Sequence, residues 1–339
     1  MKKIIVMLLM FMVAGIGFSW EVTPTIDLRM DLGAKTDLSN SPDDPTWVFD
    51  PYNNGTAIGA KVTGKNAGGW MHLRGDAMTD PYGGLFGELW VKLRSATVAA
   101  GRTEAWAQWS DLDLFGDNNW AFGASTSMNR PFIKIILENF YFGIHEAGIN
   151  GKYIGAKHSV VLKDNAPLPG FFIGCDFIQE GALSGGAIFA GQYLGDDIND
   201  GSFPLMFNVH TRILAYKPIT FGFNISFYIS PENAPDFFAI NSCPVLTGNP
   251  GSGGSRVVES MIDFTAKLIP CDMTISAAYV MDIIEENSGI KVGASFKFTV
   301  GDTGFSFIPG AMYTNILLLD GQNAKTSWLD LGMSCLYSF

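Results

Sequence analysis

The sequence predicts an all-β protein, a transmembrane antiparallel β-barrel of about 16 strands, within about 14 to 18. Three observations predict it: an apolar excess without a helical span, a period of two along the chain, and connectors that alternate between short and long. Hydrophobic residues make up 47% of the 339 residues and charged residues 16%, whereas a typical soluble domain is about a quarter charged. After the first 20 residues no run of about 18 consecutive apolar residues occurs, which excludes a helical membrane protein. The surplus apolar surface must therefore be spread along the chain in alternation.

Alternation is what the chain shows. Ile219, Phe221, Phe223, Ile225, Phe227 and Ile229 share one face, and Thr220, Gly222, Asn224, Ser226 and Tyr228 share the other. Ile26, Leu28, Met30 and Leu32 oppose Thr25, Asp27, Arg29 and Asp31 in the same way. Ile290, Val292, Phe296, Phe298 and Val300 oppose Lys291, Ser295, Lys297 and Thr299. A soluble sandwich also alternates, but its strands are shorter and its outer faces more charged. Here the polar faces are rich in Gly, Ser, Thr and Asn, which suits a wet interior, and the other faces carry Leu, Ile, Val and Phe, which suits lipid. Segments of about ten residues, tilted by about 40 degrees, cover the roughly 25 Å apolar band.

Connector length gives an independent reading, because such barrels have short turns at one rim and longer loops at the other. Short connectors are expected at 301–303, 269–271, 217–218, 179–181, 147–151 and 95–96. Longer polar stretches are expected at 316–327, 230–255, 195–204, 163–169, 107–118 and 35–54. The short Glu285-Glu286-Asn287-Ser288-Gly289 falls on the long-loop side. Residues 131–146 leave the count at 16 or 18, since Glu138-Asn139 reads either as a tight hairpin or as the middle of an irregular strand. Sixteen is the expected number. Closure follows because lipid offers no partner for an open strand edge.

The N-terminus reads as an export signal over 1–19: Lys2 and Lys3, an apolar stretch from Ile4 to Gly15, then Gly17-Phe18-Ser19. The barrel is then expected over 20–339, with no linker and no second domain. Removing the two lysines takes the formal charge from -11 to about -13, without a polybasic run, so nucleic acid is excluded as a partner. Cys175, Cys243, Cys271 and Cys335 are read as small hydrophobes or free thiols, because the topology separates Cys243 in an outer loop from Cys271 in an inner turn.

The final segment, with Leu331, Met333, Cys335, Tyr337 and Phe339 on one face, resembles the C-terminal strand that the bacterial barrel-assembly machinery recognises. A second resemblance lies in Gly87-Glu88-Leu89-Trp90-Val91-Lys92-Leu93-Arg94 followed by Thr97-Val98-Ala99-Ala100-Gly101-Arg102. This resembles a hairpin of the general porins of bacterial outer membranes. The stretch from Trp109 to Asp117 is similar to a shortened form of that family's constriction loop, and it follows the fifth strand. The two motifs cover about 30 residues. The resemblance implies an outer-membrane channel for small hydrophilic solutes, a homotrimer being one assembly it allows. It also implies that Arg102 stands in a basic cluster facing carboxylates on the loop. The family's acidic, glycine-rich element is reduced here to Phe115-Gly116-Asp117, so an ordinary exposed loop is the alternative.

Parity adds Arg29, Lys61, Arg74, Asp76, Glu88, Lys92, Arg94 and Arg212 as inward charges. The expected constriction set is Arg29, Arg74, Lys92, Arg94, Arg102 and Arg212 on the wall, facing Asp111, Asp113 and Asp117 on the loop. Opposed charges across a narrow neck produce a transverse field that aligns polar solutes. For each residue the alternative is a solvated rim charge or a wall pair. Trp70, Trp120, Tyr279 and Tyr337 are read as an interfacial girdle or rim packing. Trp70 and Trp90 share parity with charged faces, and their alternative is a lumen position where indoles stack on sugar rings. His72, His145, His158 and His210 are scattered, and no nucleophile–base pair, zinc spacing or phosphate loop accompanies them, so neither catalysis nor a cofactor is expected. Two other functions compete with a passive pore. A surface adhesin or structural barrel would use the 230–255 loop, and a transporter of apolar molecules would need an N-terminal plug.

Overall fold

The computed structural model describes residues 20–38, 45–50, 56–74, 85–103, 124–125, 130–146, 169–178, 183–192, 205–216, 218–230, 239–240, 255–284, 286–319 and 321–339. The strands are β1 (Glu21–Asp37), β2 (Thr46–Asp50), β3 (Ala57–Thr63), β4 (Ala67–Arg74), β5 (Leu85–Leu93), β6 (Ala96–Thr103), β7 (Ala124–Ser125), β8 (Arg130–Leu137), β9 (Phe140–Glu146) and β10 (Pro169–Ile178). They continue as β11 (Leu183–Gln192), β12 (Leu205–Tyr216), β13 (Ile219–Ser230), β14 (Ala239–Ile240), β15 (Ser255–Lys267), β16 (Asp272–Asp282), β17 (Asn287–Thr299), β18 (Phe305–Leu319) and β19 (Gln322–Ser338). The short β7 and β14 pair with each other, and the other 17 strands form one antiparallel sheet.

Alternation builds this sheet because each strand has two unlike faces and every residue pairs with one of its own kind across the ladder. Leu28, Met30 and Leu32 project outward and are exposed, while Arg29 and Asp31 project inward and are buried. In β13, Phe221, Phe223 and Ile225 are exposed, and Asn224 and Ser226 between them are buried. The outward set continues through Leu89 and Val91 in β5, Phe142 and Ile144 in β9, and Val292, Phe296 and Phe298 in β17. Water would not tolerate so continuous an apolar skin; hydrocarbon does.

Following the ladders returns the chain to its start. β1 pairs with β19 on one side, from Asp27↔Ser338 to Asp37↔Trp328, and with β3 on the other, from Glu21↔Thr63 to Asp27↔Ala57. β2 pairs farther along the same side of β1, so β2 and β3 together occupy one place in the wall. Seventeen strands thus fill sixteen places, and the circuit runs from β3 through β9 and β10 to β19 and back to β1. The seam reaches the last residue, where Phe339 and Ile26 exchange two backbone hydrogen bonds of 2.9 and 3.0 Å. Among the described residues every strand of the circuit is paired on both sides, as a wall in lipid demands.

One open reading is settled and one expected connector is corrected. Glu138-Asn139 is a two-residue hairpin turn, with Glu138 in the left-handed region at φ 53°, and it lies at the same rim as the Arg94-Ser95 turn. β9 then pairs directly with β10 in the wall, and residues 147–151 lie outside the described residues. Residues 316–327 are not a long loop. β18 and β19 pair out to Leu319↔Gln322, leaving two residues between them. The described strands fill sixteen places in the wall, the expected number.

Candidate functional site

Paired residues share a face, so the register identifies the inner wall residue by residue, and that wall has two unlike arcs. On the arc from β13 through β15 to β19 and β1, most mid-wall inward side chains are buried, while Lys35 and Lys297 toward the two rims are exposed. Glu259 is 0% exposed and Lys291 2%. Asp263, Asp282 and Asp330 are buried there as well. Charged groups survive such a setting only when hydrogen-bonded or paired. The Arg29 guanidinium donates through Nε to both Asp31 oxygens, at 3.1 and 3.3 Å, and through Nη2 to Ser334 Oγ at 2.9 Å. Ser276 donates its hydroxyl hydrogen to the Asp263 carboxylate. This arc is a bonded framework.

The arc from β3 to β9 is different. Lys61 on β3 and Lys92 on β5 are exposed, and Trp70, His72, Glu88, Trp90 and Lys134 are half-buried. Trp70 stands between Lys61 on one neighbouring strand and Glu88 on the other. Lys134 Nζ reaches across β6 to Glu88 Oε2 at 2.7 Å, with both side chains partly open to water. His72 Nε2 lies 3.2 Å from Thr25 Oγ1, and its ring meets Trp70 edge to face with centroids 5.1 Å apart. Two glycines make room for these rings. A methyl at Gly59 would collide with the His72 ring, and one at Gly68 would come within 2.5 Å of the Trp90 indole. The β4 surface is thus paved with rings at successive inward positions.

The residues of the expected constriction separate. Arg29 faces inward but is locked to Asp31 in the dry arc. Lys92 faces inward and is exposed. Arg94 is corrected: it occupies the β5–β6 turn at φ 52°, where alternation has ended, and is not on the wall. Arg102 holds the ladder register of Gly87 and Pro131, which alternates with that of Glu88, Gly101 and Phe132. Arg74 ends β4 opposite Ala57, and Arg212 pairs with Ser184 and Gly222. Asp111, Asp113, Asp117, Asp76, Trp120, His158 and Cys243 lie outside the described residues.

Trp70 is moved from the expected girdle to the inner wall, its two ladder partners being inward charges. Tyr279 is exposed on the outer face, and Trp47 and Phe49 on β2 are exposed outward near the loop-side rim. These two were missed because no clean alternation surrounds them. The Glu88–Lys134 pair was missed because its partners are 46 residues apart in sequence. Among the described residues Cys175, Cys271 and Cys335 are free thiols, and no group of three or more His, Cys, Asp or Glu is placed to hold a metal.

No family model matches the sequence, and no curated protein matches it. Solved structures do match. A loop-deletion form of OmpT, an outer-membrane protein of Vibrio cholerae, superposes with a TM-score of 0.54 at 12% identity, covering 94% of this chain and 99% of that one. OmpF of Salmonella typhi, in complex with daunomycin, gives 0.54 at 11% identity over 94% and 97% of the two chains. OpdQ of Pseudomonas aeruginosa gives 0.51 at 11% over 94% and 98%. The chain has the fold of the bacterial outer-membrane porins. In this porin fold the turns after β3, β5, β8 and β12 mark the inner rim, and the long connectors mark the outer one. The half-open arc therefore runs along the barrel from one mouth toward the other.

Proposed function

We propose that the protein is a porin in the outer membrane of a bacterium, a water-filled channel through which small hydrophilic solutes and ions diffuse passively. The sixteen-place closed wall carries this reading. Barrels of about eight strands are filled by their own side chains, whereas those of about 16 to 18 leave an aqueous passage. The water path borders the β3 to β9 arc, because the mid-wall inward charges Arg29, Asp263, Lys291 and Asp330 on the opposite arc are buried. Lys61, Lys92 and the Glu88–Lys134 pair are then the described charges nearest to a passing ion. The loop after β6 supplies the facing carboxylates Asp111, Asp113 and Asp117. Residues 1–19 direct export, the strand ending at Phe339 engages the assembly machinery, and the outward apolar face meets lipid or a second copy in a homotrimer.

The test is a planar bilayer holding the purified protein under a salt gradient. Stepwise ohmic conductance is expected, and a bilayer that stays sealed rejects the channel. Replacing Lys61 and Lys92 together by Gln moves the reversal potential toward cation preference, since ions respond to charges beside the path rather than to the sum over the molecule. An unchanged potential removes both lysines from that path.

A further inference from the structure

The inner wall carries one feature that a simple diffusion pore does not require. Trp is usually placed in porin-type barrels at the lipid interface, yet Trp70 and Trp90 both face inward here. Their arrangement is specific. Trp90 projects from β5 across Gly68 of β4, so its indole covers inward position 68, while Trp70 covers position 70 and His72 position 72. Successive inward positions on one strand are about 6.5 Å apart. The result is a row of rings along the barrel wall. Polar groups border it on both sides: Lys61 on β3 next to Trp70, and on β5 Glu88, which Lys134 holds at 2.7 Å.

We infer that this row is a binding subsite for saccharides. An indole face offers a flat, weakly hydrated surface that matches the C–H face of a pyranose, and it loses little conformational freedom on binding. The hydroxyls at the edge of such a sugar need donors and acceptors beside the ring, and a carboxylate and two ammonium groups stand there. Apolar planes with a few placed polar groups are the composition of a small-molecule site. A purely aromatic solute would leave the flanking charges unmatched, and a simple ion would have no use for the indoles. The subsite rests on the wall being the side of an aqueous path, and it narrows the solute class from hydrophilic in general to ring-shaped polyols.

The experiment uses the full-length protein, with maltotriose as the probe and glycerol as the acyclic control. In a bilayer, maltotriose is expected to reduce the ion current saturably while glycerol acts only through viscosity. Calorimetric titration of the detergent-solubilised protein reads the same binding without needing an open channel. Trp70→Ala and Trp90→Ala should each weaken maltotriose at least tenfold in both assays, Trp70→Phe should retain part of the affinity, and Glu88→Gln should weaken it in the calorimetric titration. A sealed bilayer with intact calorimetric binding rejects the channel and keeps the subsite. Normal current with no saturable effect of maltotriose and no heat of binding overturns the subsite and keeps the channel. Equal affinity in the two Trp→Ala variants and the parent also overturns it.

Discussion

At the residue scale, the informative positions are charges that face the same interior in unlike surroundings. Arg29, 6% exposed, spends its donors on Asp31 and Ser334 and works as a strut between the first and last strands. Arg29→Ala leaves Asp31 buried without its cation and should cost about 3 kcal/mol or more of unfolding free energy. Urea titration in lipid vesicles measures it, and Arg29→Met combined with Asp31→Leu should recover most of the loss. Lys92 lies on the same face by parity but is open to water, so its replacement should change ion preference and leave stability nearly untouched. Sequence parity supplied the direction of Arg29, Glu88 and Lys92. It did not supply their surroundings, because burial inside a barrel depends on strands hundreds of residues away, as in Arg29 and Ser334. The motif around Arg102 implies an inward role, and its backbone register alternates with that of Glu88 and Gly101.

At the element scale, strands were legible wherever lipid meets one face and water or polar groups the other. β13 alternates without a break, and the sequence shows it at a glance. Two features obscured the rest. The turns at Arg94-Ser95 and Glu138-Asn139 lack the Asn-Gly or Asp-Gly pair that usually marks a two-residue hairpin. The second of these therefore reads from sequence either as a hairpin or as the middle of an irregular strand. β19 opens on the polar Gln322-Asn323-Ala324-Lys325-Thr326-Ser327, which reads as loop, although the apolar Ile316-Leu317-Leu318-Leu319 end of β18 pairs with it. The outward face also makes a sharp prediction. Leu89 lies at the middle of β5 and is 56% exposed. Leu89→Arg should cost about 2 to 4 kcal/mol in a bilayer, as a cation placed near the midplane does. Folding yield and urea midpoint in vesicles report the cost, and a neutral result would mean that this face does not meet hydrocarbon.

At the scale of the whole molecule, everything depends on the wall being closed, since closure satisfies the strand edges and a circuit of sixteen places leaves room for water. Closure was anticipated from the absence of any tolerable edge in lipid. The division of the interior into a bonded arc and a half-open arc was not, because no sequence pattern distinguishes a buried inward Glu259 from an accessible inward Glu88. The seam between β1 and β19 offers the most direct test. Met30 pairs with Cys335 on the outward face. Directly paired residues on antiparallel strands have Cα atoms about 4.5 to 5.5 Å apart, within the range that a disulfide spans. In a chain carrying Met30→Cys, with Cys175, Cys243 and Cys271 replaced by Ser, oxidation of the folded protein should join the two ends of the barrel. The heat-denatured product should then migrate faster on a non-reducing gel than after reduction. Folded protein that is oxidised and shows no change in mobility would contradict a closed wall.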